Sequence, residues 1–336
     1  MAALLVTGWG SWETLHRPVD VFPDLTAPTV TVLAEAHDMA PVELETLVTM
    51  PVEAALTGMP GVRRVRSATS VGLAVFWVEF DWDTDVYRAR QAVSERLDLV
   101  RNAIPSEMPP PILGPITSIM GEVMFLGLQS EDENGLMRLR TTADILVKRR
   151  LQSVEGVAQV LSIGGELKQF QVVLRPNRMA DLGVSATEIA EALSAGNLNA
   201  SAGVLIEQGQ ESLIQGFGRV QTLEDISEIL VTMRDGQPLR INDVATVQVG
   251  PAFQRGQGGF NGQPSVVLAI QKQPGVNTLA LTERLDAALD SIDGALPDGV
   301  TLHRDAFRQA DFIEVAVANV TSALRDGALL VVLVIL

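Results

Sequence analysis

Two stretches of this sequence repeat one pattern of elements, in which a helix ends at a glycine and two strands follow. The repeat is seen when Gly61-Val62-Arg-Arg-Val65-Arg-Ser67 is aligned with Gly156-Val157-Ala-Gln-Val160-Leu-Ser162. A glycine adopts the left-handed conformation at a helix end most easily, so both sites favour the same turn into a strand. Four matching positions can arise by chance, but the same order of elements surrounds both sites. The pattern therefore predicts a duplicated α+β unit with its helices on one face of a sheet.

The first copy follows from alternating and helical runs of apolar residues. Its predicted elements are a strand at Thr29–Ala34, a helix at Pro41–Gly58, strands at Val62–Thr69 and Gly72–Phe80, and a helix at Asp85–Arg101. Pro51 is expected to kink or divide the first helix, because proline removes one backbone donor. The proline-rich stretch from Pro105 to Pro111 holds the chain extended and ends the unit.

The second copy is interrupted by a stretch of different composition. Its predicted elements are strands at Glu122–Leu128, Val157–Ile163, Leu167–Leu174, Ser265–Gln271 and Val300–His303, and helices at Leu136–Ser153 and Thr278–Ile292. Within the interruption, Ser185–Glu188 and Thr222–Asp225 have the pattern of capping boxes, and Asp235-Gly236 predicts a hairpin. Asn197–Arg219 is rich in Gly, Asn and Gln, which indicates a long projecting loop or hairpin.

Both ends of the chain are apolar. The last ten residues, Gly327 to Leu336, are apolar apart from the glycine, and an amphipathic run from Phe312 to Leu324 precedes them. Ten helical residues reach only about half of a ~30 Å hydrocarbon core. Two interpretations remain for the C-terminal run, a buried core helix or a truncated transmembrane helix, and we expect the second. For the stretch from Met1 to Trp9, a frayed terminus and a truncated transmembrane helix are both compatible with the sequence.

Composition excludes several classes of function. The 336 residues contain 25 Lys and Arg against 41 Asp and Glu, a net charge of −16, which argues against nucleic acid as a partner. The chain has no Cys, so it has no disulfide, no thiolate nucleophile and no Cys-ligated metal site. A hydrophobic fraction of 47% is incompatible with a disordered chain.

Short motifs provide only weak candidates for a chemical site. Asp81–Asp85 opens like a calcium loop, but Val86 stands where glycine is needed, so an N-cap for the next helix is the preferred interpretation. Gly256–Gly262 lacks the Lys-Ser/Thr of a phosphate loop and is interpreted as a turn. Met120 and Met124, which flank Glu122, could offer thioethers to a soft cation, although most methionines fill cores. No catalytic or cofactor-binding residue is predicted, and no metal site is assigned.

A series of longer motifs resembles the RND (resistance-nodulation-division) efflux transporters. The matching strings are Pro18-Val-Asp-Val-Phe-Pro-Asp-Leu25, Ala40-Pro-Val-Glu-Leu-Glu45, Leu56-Thr-Gly-Met-Pro-Gly-Val62, Phe80-Asp-Trp-Asp-Thr-Asp85, Leu113-Gly-Pro-Ile-Thr-Ser118, Ser162-Ile-Gly-Gly165, Gly218-Arg-Val-Gln-Thr-Leu-Glu-Asp225 and Asp243-Val-Ala245. They occur in order along nearly the whole chain. Several are more similar to the heavy-metal (CusA/CzcA) branch than to the drug-exporting branch.

The resemblance implies a fold and a domain organisation. The fold is α+β, with ferredoxin-like βαβ porter subdomains, an inserted docking subdomain and truncated transmembrane helices on both sides. The implied ranges are 1–20 for transmembrane helix 1 and a linker, 25–115 for the first porter subdomain, 116–165 with 251–312 for the second, 166–250 for the docking subdomain, and 313–336 for the start of transmembrane helix 2.

The resemblance also implies a function and partners. The chain would be the N-terminal periplasmic part of a proton-driven permease in a bacterial inner membrane, exporting heavy-metal cations or other small toxic compounds. It would form a homotrimer and would contact a periplasmic adaptor, an outer-membrane channel and membrane lipid, and no cofactor is implied. An arm within 197–219 would reach a neighbouring protomer, and its candidate contact residues are Asn197, Leu205, Ile206, Leu213 and Ile214.

Departures from the family pattern leave alternatives open. The proton-relay acids of the family lie in later membrane helices, and its main metal-binding methionines lie largely in a second periplasmic half, so Met120, Glu122 and Met124 inherit no role. An aromatic content of 4% is weak evidence against a large aromatic substrate. The alternatives are a multidrug exporter of the same fold, a membrane-anchored binding or adaptor protein, and, least favoured, an enzyme that uses scattered acids with His37 or His303.

Overall fold

The computed structural model describes residues 8–10, 12–13, 27–36, 39–106, 108–117, 121–132, 135–198, 200–207, 210–216, 218–234, 236–254 and 256–335. The chain forms two compact units. Unit 1 comprises Met1–Glu133, Thr142–Gly164 and Gly258–Leu336, and unit 2 comprises Asn134–Thr141 and Gly165–Gln257. The predicted elements at 1–7 and most of 11–26 lie outside the described residues.

The described residues form the following strands and helices. The strands are β1 (Thr29–Glu35), β2 (Val62–Ser70), β3 (Leu73–Phe80), β4 (Ile112–Leu113), β5 (Glu122–Ser130), β6 (Val157–Ile163), β7 (Lys168–Leu174), β8 (Ala200–Glu207), β9 (Gln210–Gly216), β10 (Leu230–Arg234), β11 (Gln237–Arg240), β12 (Ala245–Pro251), β13 (Gly259–Phe260), β14 (Gln263–Pro264), β15 (Val266–Lys272) and β16 (Val300–Arg308). The helices are α1 (Pro41–Leu44, Glu45–Thr49 and Met50–Thr57 in one run), α2 (Val86–Val100), α3 (Leu136–Thr142, Ala143–Val147 and Lys148–Gln152 in one run), α4 (Pro176–Leu182), α5 (Ala186–Ala195), α6 (Leu223–Ser227), α7 (Ile241–Val244), α8 (Thr278–Asp293) and α9 (Gln309–Ile335).

Unit 1 contains two four-stranded antiparallel sheets with the same order of strands. The first sheet has the order β2-β3-β1-β4. The second, read from the corresponding edge, has the order β6-β15-β5-β16, in which each strand takes the place of its counterpart. In both, the chain runs strand, helix, strand, strand, helix, strand. In sequence, the part of unit 2 from Gly165 to Gln257 is inserted between the second and third strands of the second sheet, and the part from Asn134 to Thr141 follows its first strand. The mixed α and β architecture predicted from the sequence is confirmed.

The core of the first sheet lies between its strands and helices α1 and α2. On α1, Leu44, Val48, Val52 and Leu56 recur every four residues, which places them on one face, and all four are completely buried. They pack in one cluster with buried residues of α2 and of the strands, Val30, Val32, Phe76, Val78, Ala89 and Val93. Burial of this apolar stripe, rather than helix propensity, supplies most of the stability of such short helices.

Equivalent residues make equivalent contacts in the two sheets. Gly61 and Gly156 both have positive φ, 74° and 97°, at the turn that leads from a helix into a strand. The hydroxyl of Ser67 donates to Glu53 at 2.5 Å, and the hydroxyl of Ser162 donates to Asp144 at 2.6 Å. In each case a strand serine binds a helix carboxylate. The predicted repeat is therefore confirmed as a structural repeat, but the strand predicted at Leu167–Leu174 is wrong as a part of it, because β7 pairs with β12 in unit 2 and β15 pairs with β6 instead.

The structure refines two local expectations about unit 1. The helical run is divided just before Pro51, where the wider turn at Glu45–Thr49 is followed by a new α-helical segment that begins at Met50. Pro51 then falls in the first turn of the next α-helical segment, where a missing N–H donor is tolerated. Strand β16 also continues beyond His303 to Arg308, since Phe307 and Arg308 rejoin the ladder with β5 after an irregularity.

Unit 2 is organised around the antiparallel pair β7–β12 and two hairpins. Its core includes Ile189, Ile241 and Val244. Both predicted capping boxes are present, because Ser185 and Thr222 accept from the backbone N–H groups of Glu188 and Asp225. Strands β10 and β11 form the predicted hairpin, with φ of 76° at Gly236. Strands β8 and β9 form the hairpin within the stretch 197–219.

One buried carboxylate of the first sheet is surrounded by three arginines. The side chain of Glu79 is 7% exposed and pairs with Arg63, Arg64 and Arg66 at 3.3, 2.8 and 2.6 Å. Burial alone would raise the pKa of Glu79, but hydrogen bonds from Arg64 and Arg63 and the charges of Arg64 and Arg66 outweigh burial, so the pKa is lowered from 4.5. The ionised carboxylate is therefore the stabilising form.

This arrangement predicts an acid-sensitive contribution to stability. A folded-state pKa below the unfolded value contributes stability above the unfolded pKa and loses it as the pH falls through the folded pKa. We expect Glu79→Gln to lower the free energy of unfolding by about 1.5–3 kcal/mol at pH 7, the range for hydrogen bonds to charged groups. Denaturation should show this difference shrinking as the pH falls below 4.5. The exposed Glu95→Gln serves as control, and an equal loss at every pH would contradict the prediction.

Candidate substrate-path surface

Helices α3 and α8 leave one face of the second sheet open. The covered face of β5 carries Met124, Leu126 and Leu128, which are completely buried, as are Leu268 and Ile270 of β15. Side chains alternate along a strand, so Phe125, Gly127 and Gln129 point to the opposite face. On β16, His303 lies opposite Gly127 and Phe307 lies opposite Phe125. We call this side of the sheet the open face.

Aromatic rings follow the open face along β5 and β16. The ring centroids of Phe125 and Phe307 are 5.2 Å apart, and those of Phe307 and Phe312 are 6.1 Å apart. Tilted rings at these distances attract each other beyond their apolar burial. The aromatic line reaches from the centre of the sheet to the start of α9. It gives the open face an apolar, polarisable character.

A short hairpin folds over the middle of the open face. Strands β13 and β14 are joined by Asn261 and Gly262, whose φ values of 51° and 76° give the tight turn favoured in two-residue hairpins. The ring of Phe260 on this hairpin stacks on His303 with centroids 4.9 Å apart and planes 30° apart. Gln129 donates to the carbonyl oxygen of Phe260 at 2.9 Å. These contacts hold the hairpin against β5 and β16.

Of the three predicted substrate-path residues, Met124 lies on the covered face and not on this surface. Met120 lies outside the described residues, and Glu122 is exposed at the first residue of β5. Met124 is completely buried on the covered face, so its thioether fills the core, the role that most methionines have. A register shift between Ile270 and Gln271 separates Glu122 from Met124 along the ladder.

The other candidate residues are placed as follows. Oδ1 of Asn197 accepts from the backbone of Val220 at 3.1 Å, which joins the two chain segments at the base of the β8–β9 hairpin. Leu205, Ile206, Leu213 and Ile214 lie on the paired strands of that hairpin. Asp85 caps α2 by accepting from Arg88 at 2.9 Å, in agreement with the interpretation of 81–85 as an N-cap. Among the described residues, no group of three or more His, Asp or Glu side chains is placed to hold a metal ion.

Ion pairs tie the end of the open face to helices α8 and α9. Arg308 donates to Asp286 at 2.8 and 2.9 Å and to Asp311 at 3.2 Å, and Arg304 donates to Asp290 at 2.7 Å and also to Asp293. Hydrogen bonds from Arg308 to Asp286 raise the pKa of Arg308 despite its partial burial. Strand β16 is therefore fixed both to α8 and to the first turn of α9.

Helix α9 continues from the open face as a long exposed apolar element. It has 27 residues and a mean hydropathy of 1.6 in its most apolar window, and none of that window is buried. By length and composition alone it could cross a membrane. Among the described residues it is the one helix that meets these criteria.

The surface formed by Gly127, Phe260 and His303 was not predicted from the sequence. These residues come from β5, the β13–β14 hairpin and β16, and only the sheet order brings them together. His303 was considered as a metal or catalytic residue, whereas its ring packs against Phe260. The alternation Phe125-x-Gly127-x-Gln129 is the signal that could have indicated a special position on this strand.

Comparison with known proteins gives a consistent result along the whole chain. Residues 1–336 match the AcrB/AcrD/AcrF family. The cation efflux system protein CzcA of Alcaligenes sp. (strain CT14) is 31% identical over 343 residues, covering 100% of this chain and 32% of that protein. The cation efflux system protein CusA of Escherichia coli (strain K12) is 30% identical over 337 residues, covering 99% of this chain and 32% of that protein.

The fold also matches a solved structure. The X-ray crystal structure of a heavy metal efflux pump, crystal form II, superimposes with a TM-score of 0.87 at 27% identity and covers 100% of this chain and 33% of that one. The chain thus spans about a third of the length of the curated relatives and of the pump that it matches.

Proposed function

This chain belongs to the AcrB/AcrD/AcrF family of RND efflux transporters, and we propose that it is the N-terminal periplasmic part of a longer, proton-driven inner-membrane permease that exports heavy-metal cations. One observation carries the choice of substrate class. Relatives that match essentially the whole chain at 30–31% identity are cation efflux proteins, and the matched structure is a heavy metal efflux pump. Within such a pump, this chain supplies walls and a docking surface rather than catalytic groups.

The two sheets of unit 1 are proposed as porter subdomains. Their strand, helix, strand, strand, helix, strand order with antiparallel pairing is the ferredoxin-like arrangement. We assign 25–115 to the first subdomain and 116–165 with 251–312 to the second. The docking subdomain is assigned to 166–250, which falls within unit 2. Residues 1–20 and 313–336 are assigned to membrane-spanning helices and their linkers.

The membrane boundary is proposed to lie within α9. Arg325 and Asp326 are exposed, and charged side chains are costly in the hydrocarbon region. The run from Gly327 to Ile335 is free of charge. We place the boundary just before Gly327, so the first half of α9 extends from the second sheet towards the membrane.

The open face is proposed as the wall of the substrate pathway. It has apolar rings, one imidazole and one amide, and the described residues do not assemble a metal site of their own. A cation crossing this wall would take its stronger ligands from parts of the longer protein outside this chain. The rings of Phe125 and Phe307 also favour a second candidate function, export of hydrophobic compounds by the same fold.

The β8–β9 hairpin is proposed to be the arm that joins protomers of a homotrimer, which would work with a periplasmic adaptor and an outer-membrane channel. Replacing 200–216 with a glycine–serine linker should abolish trimers while leaving both units folded, because the hairpin pairs with itself. Sedimentation in detergent, with circular dichroism as the folding control, measures both properties. A variant that remains trimeric would contradict the role of the arm.

The export function is tested by metal accumulation in cells. The gene for the longer protein should be expressed in a bacterial host without its own metal efflux pumps, and cell-associated Zn²⁺, Co²⁺ and Cu⁺ should be measured after exposure. We expect lower accumulation of at least one cation. Unchanged accumulation of every cation together with lower accumulation of hydrophobic dyes would favour the second candidate function instead.

A further inference from the structure

We propose that Phe260 determines specificity: its ring fills a slot for a planar group on the open face and thereby excludes planar aromatic compounds from this wall. The inference rests on the proposed function of the open face as a pathway wall. It concerns Gly127 and His303, which form the slot, Phe260, which fills it, and the amide of Gln129.

The floor of the slot is the backbone at Gly127. A Cβ atom at this position would lie 3.0 Å from Cγ and 3.3 Å from Cβ of Phe260. Such separations are tighter than ordinary van der Waals contact, so a side chain at position 127 would require Phe260 to shift by a few tenths of an ångström. Glycine therefore favours the close approach of Phe260 to the sheet.

One wall of the slot is the imidazole of His303. It lies opposite Gly127 on β16, and the ring of Phe260 stacks against it at 4.9 Å. An imidazole in this position accepts planar aromatic groups better than branched or aliphatic ones, because stacked rings gain contact over their whole faces.

The ring is presented from a separate hairpin rather than from the sheet itself. Gln129 is the hydrogen-bonding anchor of this hairpin, and it donates to the carbonyl oxygen of Phe260 at 2.9 Å and to Oγ of Ser265 at 3.2 Å. Ser265 is completely buried, so the hydrogen bond to its hydroxyl holds the side chain of Gln129 in place. Removing the ring of Phe260 would therefore empty the slot without removing the support of the hairpin.

The chemistry of the slot specifies its ligand class. In the contacts described above, Phe260 meets the backbone at Gly127, the imidazole of His303 and the amide of Gln129, and these three groups are not carboxylates. We therefore infer that the emptied slot binds a planar aromatic compound by stacking, without a requirement for positive charge. In the native chain this compound class is excluded by the protein's own ring.

The test is a binding titration on the 336-residue chain in detergent micelles with acridine, a planar three-ring probe, at pH 8, followed by fluorescence anisotropy. We expect Phe260→Ala to bind acridine at least tenfold more tightly than the native chain, which corresponds to about 1.4 kcal/mol. Adding His303→Ala to this variant should remove the gain, because the stacking wall is lost.

Phe253→Ala is the matched control, because it removes a phenylalanine that is 91% exposed and therefore fills no slot. Its acridine affinity should equal that of the native chain. Adding Gly127→Ala to Phe260→Ala should reduce the gain, because the methyl group occupies the floor on which the acridine ring would lie. Circular dichroism must show folded protein for each variant.

Equal acridine affinity of the native chain and Phe260→Ala would overturn the proposal. So would a gain in Phe260→Ala that persists when His303 is removed, or an equal gain in Phe253→Ala. Failure of the proposed function is separate, because it would show as unchanged cation accumulation in cells whatever the acridine result. A tenfold gain in acridine affinity in a protein that exports no cation would support the proposed slot and contradict the proposed export function.

Discussion

Gly164→Ala is expected to lower the free energy of unfolding of unit 1 by about 2–5 kcal/mol, the sum of a left-handed backbone penalty and a steric overlap. Gly164 has φ of 79°, where a residue with a Cβ is disfavoured. A Cβ there would also lie 2.8 Å from the carbonyl oxygen of Ser265 and closer still to the backbone nitrogen of Gly258. Backbone atoms cannot rotate away as a side chain would, so the second sheet must shift.

A control separates the two causes. Gly275→Ala has nearly the same backbone conformation, with φ of 76°, but its Cβ would meet nothing within 4 Å. It should cost only the backbone term, about 1–2 kcal/mol. Chemical denaturation of both variants measures the difference. Equal losses in the two variants would show that the close approach of the chains at Gly164 and Gly258 has no energetic weight.

Replacing Leu330 and Val332 with arginine is expected to release the 336-residue chain from membranes. The two residues are 65% and 55% exposed on α9, in its uncharged second half. An arginine at the centre of a membrane helix costs about 2.5–3.5 kcal/mol on insertion scales, so the pair, which lies within six residues of the proposed boundary, costs at most about 5–7 kcal/mol. We expect more than a tenfold loss from the membrane fraction after flotation with liposomes.

Val315→Arg with Val317→Arg is the matched control, with the same spacing in the first half of the same helix. Both valines are exposed, and they lie before Arg325 and Asp326, on the side that we assign to water. This variant should remain bound to liposomes. Release of the control pair to the same extent would place the boundary elsewhere, and retention of the first pair would contradict a membrane role for α9.

Much of the fold could be predicted because local patterns decide it. The four-residue spacing on α1 and the capping residues Ser185 and Thr222 act within one or two turns of chain. The repeat at Gly61 and Gly156 was visible because a helix-to-strand turn requires a left-handed residue at one place. Such features depend on neighbours in sequence and can be recognised there.

The open face could not be predicted because it depends on distant pairing. Strand β15 pairs with β5 and β6 only after the chain has passed through unit 2. Met124 illustrates the limit: its neighbours suggested a surface pair with Met120, whereas the alternation of the strand and the cover by helices decide its burial. The stacking of Phe260 on His303 likewise arises from the sheet order and not from any local motif.

The most direct test of the account is transport by the purified longer protein in proteoliposomes, with the substrate-binding side facing outward and a proton gradient imposed in the direction that drives export. The account predicts uptake or release of a heavy-metal cation that follows the gradient, collapses with a protonophore and is absent from protein-free vesicles. Cation movement indifferent to the gradient, or none for any cation while a hydrophobic compound is moved, would contradict it.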